Sequence, residues 1–474
     1  MSFPLKETDE SRSFLLNCLT SFIFVSLVVF FALYTDLGVS PDGLDHLNFS
    51  INNIPKINLI GAAQDDFPIR YIHFYSTGYG YHYLLNLVYH SLEFVSSGSI
   101  NETYWFTPPF LEGRQTAGVP AAKANLLVVI RLLSVIFTCL QVYMLKKICE
   151  ILEIKNIYPL TLLWLSLSMM FPFLHGNASR DVLVNFLSIC FVYNVLAFHI
   201  KREVKNIKYA LLILAIAPFV QLSLCAFLVT VLASYALLSL KSFGAMIRET
   251  WKIILFKRGY FFPVLLCIVA IPATTDILNK IIQYKSIRPR CVQMFSYEEC
   301  MEKNATFKVY QDIRKMKIKQ ERIDLGEYFE KWYPGLFMRI FGIMGHRSYI
   351  SPKWFNYVLI TIISLLFTLS ATLAIIYKQK NSLLLGVIAL FYFFVIFYFV
   401  NRKIYLFTGV MNTAFQGRYV FPVYPLMVLF AHSCFGYFNR ITYYLYVFLL
   451  FGILSATYFM FIDSVHFGSI LAIH

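Results

Sequence analysis

The stretch SPDGLDH, residues 40–46, places Asp42, Asp45 and His46 close together where the chain leaves a long apolar run. A carboxylate held rigidly can take a proton from a hydroxyl, and a pair can hold a divalent cation such as Mg or Mn. Pro-Asp-Gly is equally good turn chemistry, so the stretch alone leaves both uses open. A further acid, Asp181, stands in HGNASRDVLVNFL (175–187) beside Arg180 and near His175. At a helix start that carboxylate also favours the positive end of the dipole, so capping is its plain alternative.

Cations collect later in the chain. Segment 401–426, NRKIYLFTGVMNTAFQGRYVFPVYPL, carries Arg402 and Lys403 at one end and Arg418 at the other. Arg402 and Lys403 can snorkel toward headgroups. Arg418 enters an apolar run, where an unpaired guanidinium is costly, and Gly417 beside it allows close backbone approach. Arginine there suits a phosphate or diphosphate, which it grips in bidentate fashion. Segment 333–355 adds Arg339, His346, Arg347 and Lys353 among aromatics and glycines, a composition fit for a lipid phosphate or an interfacial anchor.

The elements that position these residues are membrane spans. The 474 residues are 58% hydrophobic and only 14% charged, against about 25% charged in soluble domains. Apolar runs recur near 14–34, 124–144, 157–173, 182–199, 208–240, 259–276, 356–377, 383–400, 419–436 and 442–462. The run 208–240 is long enough for two helices, which makes about eleven spans in a single polytopic domain, 1–474. Residues 1–14 lack the form of a secretory signal, and the run after them is expected to stay as a span.

Short basic connectors, LKKICE (145–150), IKREVKNIK (200–208), LKSF (240–243), KIILFKRG (252–259), YKQKNS (377–382) and FNR (438–440), fall on one face if spans alternate. The positive-inside rule makes that face cytoplasmic, with the N-terminus inside. The net charge of +15 is then a matter of topology, and no nucleic-acid, P-loop or dinucleotide motif accompanies it. Two long segments, 35–122 and 277–355, fall on the outer face. Long loops in a compact fold are usually functional, and YGYHYLLNLVYHSL, from Tyr79, reads as amphipathic and interfacial. Cys291 and Cys300 lie in the second loop and can pair in an oxidising compartment. The other cysteines read as small core residues. Four sequons, at Asn48, Asn101, Asn177 and Asn304, also fall on the expected outer face.

Acids near spans one and four and cations near spans eight to ten would converge on one outer face. Acids to activate an acceptor and cations to hold a leaving phosphate suit transfer of a group from a polyprenyl-phosphate carrier, since fixed arginines stabilise the charge growing on that phosphate. The segments SPDGLDH, RLLSVIF (131–137), NASRDVLVN (177–185), MRIFGIMG (338–345) and QGRYVFPVYPL (416–426) resemble, in order, a family of uncharacterised, mostly bacterial polytopic membrane proteins. That family is grouped with GT-C glycosyltransferases and is distantly similar to dolichyl-phosphate-mannose-type protein mannosyltransferases and aminoarabinose transferases. The resemblance implies that Asp42 is the acid of the first loop with His46 as companion, that Asp181 is the acid after the third span, and that Arg418 and Tyr419 belong to a GRY signature. The chain departs from the family at Gly43, where a second acid is usual, which leaves a metal ligand open.

These readings lead to an expected all-α, GT-C-like bundle with two long extracytoplasmic loops in a bacterial cytoplasmic membrane. The expected activity is transfer of a sugar from a polyprenyl-phosphate donor to a surface or lipid-linked glycan, with inversion implied by the resemblance alone. Asp42, His46 and Asp181 are the expected catalytic group, with Asp45 and Arg180 beside them. Arg418, Arg402, Lys403 and Arg347 are expected at the donor phosphate. Two alternatives stay open. One is a polysaccharide polymerase or ligase. The other is a flippase or transporter of lipid-linked glycans, which would need polar groups near the bilayer midplane; the spans read as nearly free of them, with only Arg131 near a span start.

Overall fold

A computed structural model describes residues 7–35, 43–54, 68–102, 121–255, 259–317, 322–344, 349–410 and 417–465. Asp42, Arg347 and His346 lie outside the described residues, as does the side chain of Asp45. Among the described residues the regular structure is helical, apart from one antiparallel ladder pairing β1 (Ile343–Met344) with β2 (Tyr349–Ile350).

Helix α1 (Glu7–Tyr34) is followed by four short helices, α2 (Gly43–Asn52), α3 (Ile72–Thr77), α4 (Gly80–Val95) and α5 (Ser99–Glu102). Then come α6 (Ala121–Ile151), α7 (Ile157–Leu167), α8 (Met170–His175), α9 (Arg180–Lys201), α10 (Val204–Val220), α11 (Leu222–Leu238), α12 (Leu240–Ile254) and α13 (Phe261–Tyr284). The second long loop holds α14 (Cys291–Met294), α15 (Tyr297–Lys303), α16 (Ala305–Lys317) and α17 (Leu325–Phe341). Helices α18 (Lys353–Ile376), α19 (Lys380–Val395), α20 (Lys403–Thr408), α21 (Tyr424–His432) and α22 (Arg440–Val465) complete the bundle.

Among the described residues, seven helical stretches are long and apolar enough to cross a membrane: Ser13–Tyr34, Ala121–Ile151, Arg180–Lys201, Phe261–Tyr284, Lys353–Ile376, Lys380–Thr408 and Arg440–Ile462. The other apolar runs break into shorter helices, and the breaks have local causes. Ser168 leaves helical geometry at the end of α7. Gln221 turns extended after Pro218 and divides the run 208–240 into α10 and α11. Pro422 and Pro425 confine regular helix to α21. At about 1.5 Å per residue, α7 and α21 are each too short for a hydrocarbon core of about 30 Å.

Those two helices are buried on every side, as expected for elements apolar all round. Trp164 of α7 donates from Nε1 to the Tyr424 hydroxyl of α21, which also meets Ser168. The long helices surround this centre and turn apolar side chains outward, among them Phe448 and Ile441 of α22 and Leu365 of α18. An outer face of that kind is what lipid contact requires.

The basic connectors gather at one end. Arg202 donates to Ser242, His199 meets Tyr235, Tyr377 stacks on Tyr437, and Tyr443 donates to the Asn156 carbonyl. The opposite end holds the C-terminal end of α1, the first turns of α9 and both long loops. Phe31 near the end of α1 packs on Phe461 near the end of α22, so the described chain starts at the basic end and finishes at the other.

The two loops are packed together. Cys291 and Cys300 form a disulfide, with Cα atoms 5.9 Å apart. The bridge is buried against Ile69 and Ile72 of the first loop, and Asn304 donates to the Ile69 carbonyl. Asn177 is wholly buried and donates to the Phe173 carbonyl, so it is no surface sequon; Asn101 is the exposed one.

Candidate functional site

The turn between α8 and α9 is sunk in the bundle. A β-carbon on Gly176 would stand 2.5 Å from the Val28 carbonyl oxygen, so only glycine lets α1 approach this closely. Ser179 then caps α9 by accepting from the Asp181 amide, which sets Arg180 and Asp181 in the first turn. Asp181 Oδ2 lies 3.8 Å from Nε of Arg418, on the 3₁₀ turn Gly417–Val420. The two side chains are 17% and 15% exposed, so the pair is recessed and still reachable. At that spacing the carboxylate and guanidinium attract one another.

Gly417 brings Arg418 to this point. A β-carbon there would meet the Arg339 carbonyl oxygen of α17 at 2.8 Å. Arg180 points the other way, donating to Thr77 Oγ1 at 2.8 Å and so holding the first loop to α9. Tyr81, fully buried at the start of α4, has its phenol pKa pushed up by burial and also by the Asp181 charge, while Ser134 opposes the shift.

His46 lies next to Tyr81, with ring centres 6.1 Å apart. It is buried on α2, with Nδ1 2.7 Å from His82 Nε2 on α4, and the two rings stack at 4.9 Å. One ring must donate and the other accept, so the pair shares a proton. Asn86 donates to the Ser50 carbonyl and fastens the same two helices. On the far side of α2 a cleft of about 390 Å³ is lined by Asn48, Asn52, Asn53, Pro68 and Tyr71.

Arg402 lies elsewhere. It ends a π-helical segment, Ile396–Arg402, with its guanidinium 5.8 Å from the Tyr328 ring centre. Its Nη1 is buried and makes no hydrogen bond among the described residues. Arg402 meets α17 near Tyr328 and Gly417 meets it near Arg339, which puts about 16 Å of helix between them. Arg402 and Arg418 therefore serve different positions. Lys403 is exposed, and Tyr419 is half-buried next to Arg418.

Two features escaped the sequence reading. Helix α13 continues to Tyr284, so Asp276 and Lys280 lie inside it, 2.6 Å apart and each 2% exposed. Lys280 sits 4.7 Å from the Tyr75 ring centre and 5.4 Å from that of Tyr79. Segment 75–82 thus forms a wall between two ion pairs, Asp181–Arg418 and Asp276–Lys280. The signal was an Asp and a Lys four residues apart, at a position read as the end of a span.

The second is a polar seam beneath Asp181. Arg131, Ser134, Thr138 and Gln141 share one face of α6, and Asn185 and Ser188 face them from α9, all of them buried. Arg131 is three turns inside α6 and donates to the Ala32 carbonyl. His175 Nδ1 bonds the Phe171 carbonyl, and Nε2 lies 3.1 Å from the Gln141 amide. The expectation of spans nearly free of polar groups is corrected by this seam.

Among the described residues, no group of three or more His, Cys, Asp or Glu could hold a metal ion. Among the described residues, the charged group paired with Asp181 is the Arg418 cation. No protein-family model matches the chain, and no curated protein does either.

Proposed function

We propose that the chain is a membrane glycosyltransferase of the GT-C kind, taking a sugar from a polyprenyl-phosphate donor. The reading rests on one observation, the meeting of Asp181 and Arg418 from opposite halves of the chain in a recess at the end away from the basic connectors. The positive-inside rule makes that end extracytoplasmic, in a bacterial inner membrane with the N-terminus inside. The disulfide is consistent with an oxidising compartment on that side.

The chemistry follows from competition for Arg418. A donor phosphate entering the recess draws the guanidinium to itself through bidentate hydrogen bonds. Asp181 is then released to orient the acceptor hydroxyl, whose proton passes to Asp42 as general base. As the acceptor oxygen bonds to the anomeric carbon and the bond from that carbon to the phosphate oxygen breaks, negative charge grows on the phosphate, which leaves with the lipid carrier. Arg418 stabilises it in a site of low dielectric. The carrier's tail lies in lipid against the apolar outer faces of the helices. The asparagine-lined cleft by α2 offers amide donors and acceptors for the hydroxyls of a glycan acceptor. His46, bonded to His82, acts by seating α2 on α4.

The test is incubation of the purified protein with radiolabelled polyprenyl-phosphate sugars and a glycan acceptor. Label should leave the lipid with the wild-type chain and stay with Asp181→Asn and Arg418→Gln. Wild-type protein that releases label from no donor overturns the reading. In that case the polar seam between α6 and α9 favours the second reading, movement of a lipid-linked glycan without chemistry.

A further inference from the structure

Helix α12 has three distinct faces. At 100° per residue, buried Ser242, Met246 and Ile253 share a sector of about 40° turned to the bundle. Leu240, Ile247, Trp251 and Ile254 are exposed and share a sector of about 60° on the opposite side. Lys241, Arg248 and Lys252, also exposed, fall together between these two sectors, within about 40°. Lys252 of this stripe meets Glu249 at 2.6 Å.

The placement of the helix gives these faces meaning. Ser239 leaves helical geometry directly after α11 and turns the chain, and α13 begins shortly after α12. The Arg202 side chain donates to Ser242 at 2.6 Å and holds α12 at the end where the basic connectors gather. An amphipathic helix between two apolar helices, with one side on protein and one side exposed and apolar, lies in the plane of the interface. Its third side then faces the headgroup layer, and a stripe of three cations there complements phosphate charge.

We propose that α12 is a binding surface for anionic phospholipid headgroups, with Lys241, Arg248 and Lys252 as the recognising stripe and Trp251 anchoring the helix among the acyl chains. The partner is the leaflet itself, with no soluble ligand involved. This inference stands apart from the reading of the recess at the other end of the molecule.

The test uses Trp251 as a reporter. The full chain is placed in nanodiscs of phosphatidylglycerol and phosphatidylcholine, with one lipid or the other brominated to quench indole fluorescence. The Trp251 signal is the difference between wild type and Trp251→Phe. At equal mole fraction, brominated phosphatidylglycerol should quench it about fivefold more effectively, the weight of about one basic residue at a charged surface. The variant K241Q/R248Q/K252Q should lose that preference, and K146Q/K155Q/K378Q, at the same end, should keep it. Equal quenching by both lipids in the wild type overturns the proposal. So does a Trp251 that neither lipid reaches, which would mean that a protein or a second copy covers α12.

Discussion

A β-carbon at position 417 would stand 2.8 Å from the Arg339 carbonyl oxygen, a backbone atom that cannot swing aside. Gly417→Ala should therefore cost about 1–3 kcal/mol of stability, the usual size of overpacking. It should also lower transfer further than stability explains, because Arg418 moves with the turn. Thermal unfolding and label release on one preparation check both; an unchanged midpoint would mean that the turn is not pressed on α17. Asp181 and Arg418 were legible in the sequence because each is a charge at the edge of an apolar run. Their convergence on one outer face follows from the alternation of spans; their direct pairing does not, since nothing local relates the start of α9 to the turn before α21. The isolation of Arg402 was equally hidden, for it depends on where α17 runs.

Helix boundaries decide what is buried, and α13 shows the consequence. The apolar run ends at Asp276, yet the helix continues to Tyr284 and sets Lys280 beside the stacked rings of Tyr75 and Tyr79. Lys280→Met leaves a buried carboxylate alone and should cost about 3–5 kcal/mol. The double change Asp276→Leu with Lys280→Met should cost less than the single one, because no orphan charge remains. A double variant less stable than Lys280→Met would deny that the pair is a matched unit. The seam between α6 and α9 escaped notice for a different reason. Ser, Thr, Asn and Gln spaced along apolar helices hardly change a hydropathy average, and only packing shows that they share a face. That the run 208–240 divides was legible, by contrast, because it is too long for one span; its break at Gln221 was not.

In the molecule as a whole, charge asymmetry could be read from the connectors, and it correctly gathered the basic segments at one end. The pair of long loops was legible only as length. Its construction depends on the disulfide of α14–α15 packing on residues 69–72 of the first loop. Cys291→Ser with Cys300→Ser should cost about 2–3 kcal/mol locally. Hydrogen exchange should rise across 291–304 and leave α7 protected; uniform protection would mean that the bridge holds nothing. The meeting of the two halves at Asp181 and Arg418 has a test of its own, the exchanged pair D181R/R418D. Each single charge reversal should lower both thermal stability and release of sugar from a polyprenyl-phosphate donor. The exchanged pair should regain most of the stability and still fail to release sugar, because carboxylate and guanidinium then face the wrong reaction partners. Recovery of transfer together with stability would reduce the pair to a brace between helices and contradict its place in the chemistry.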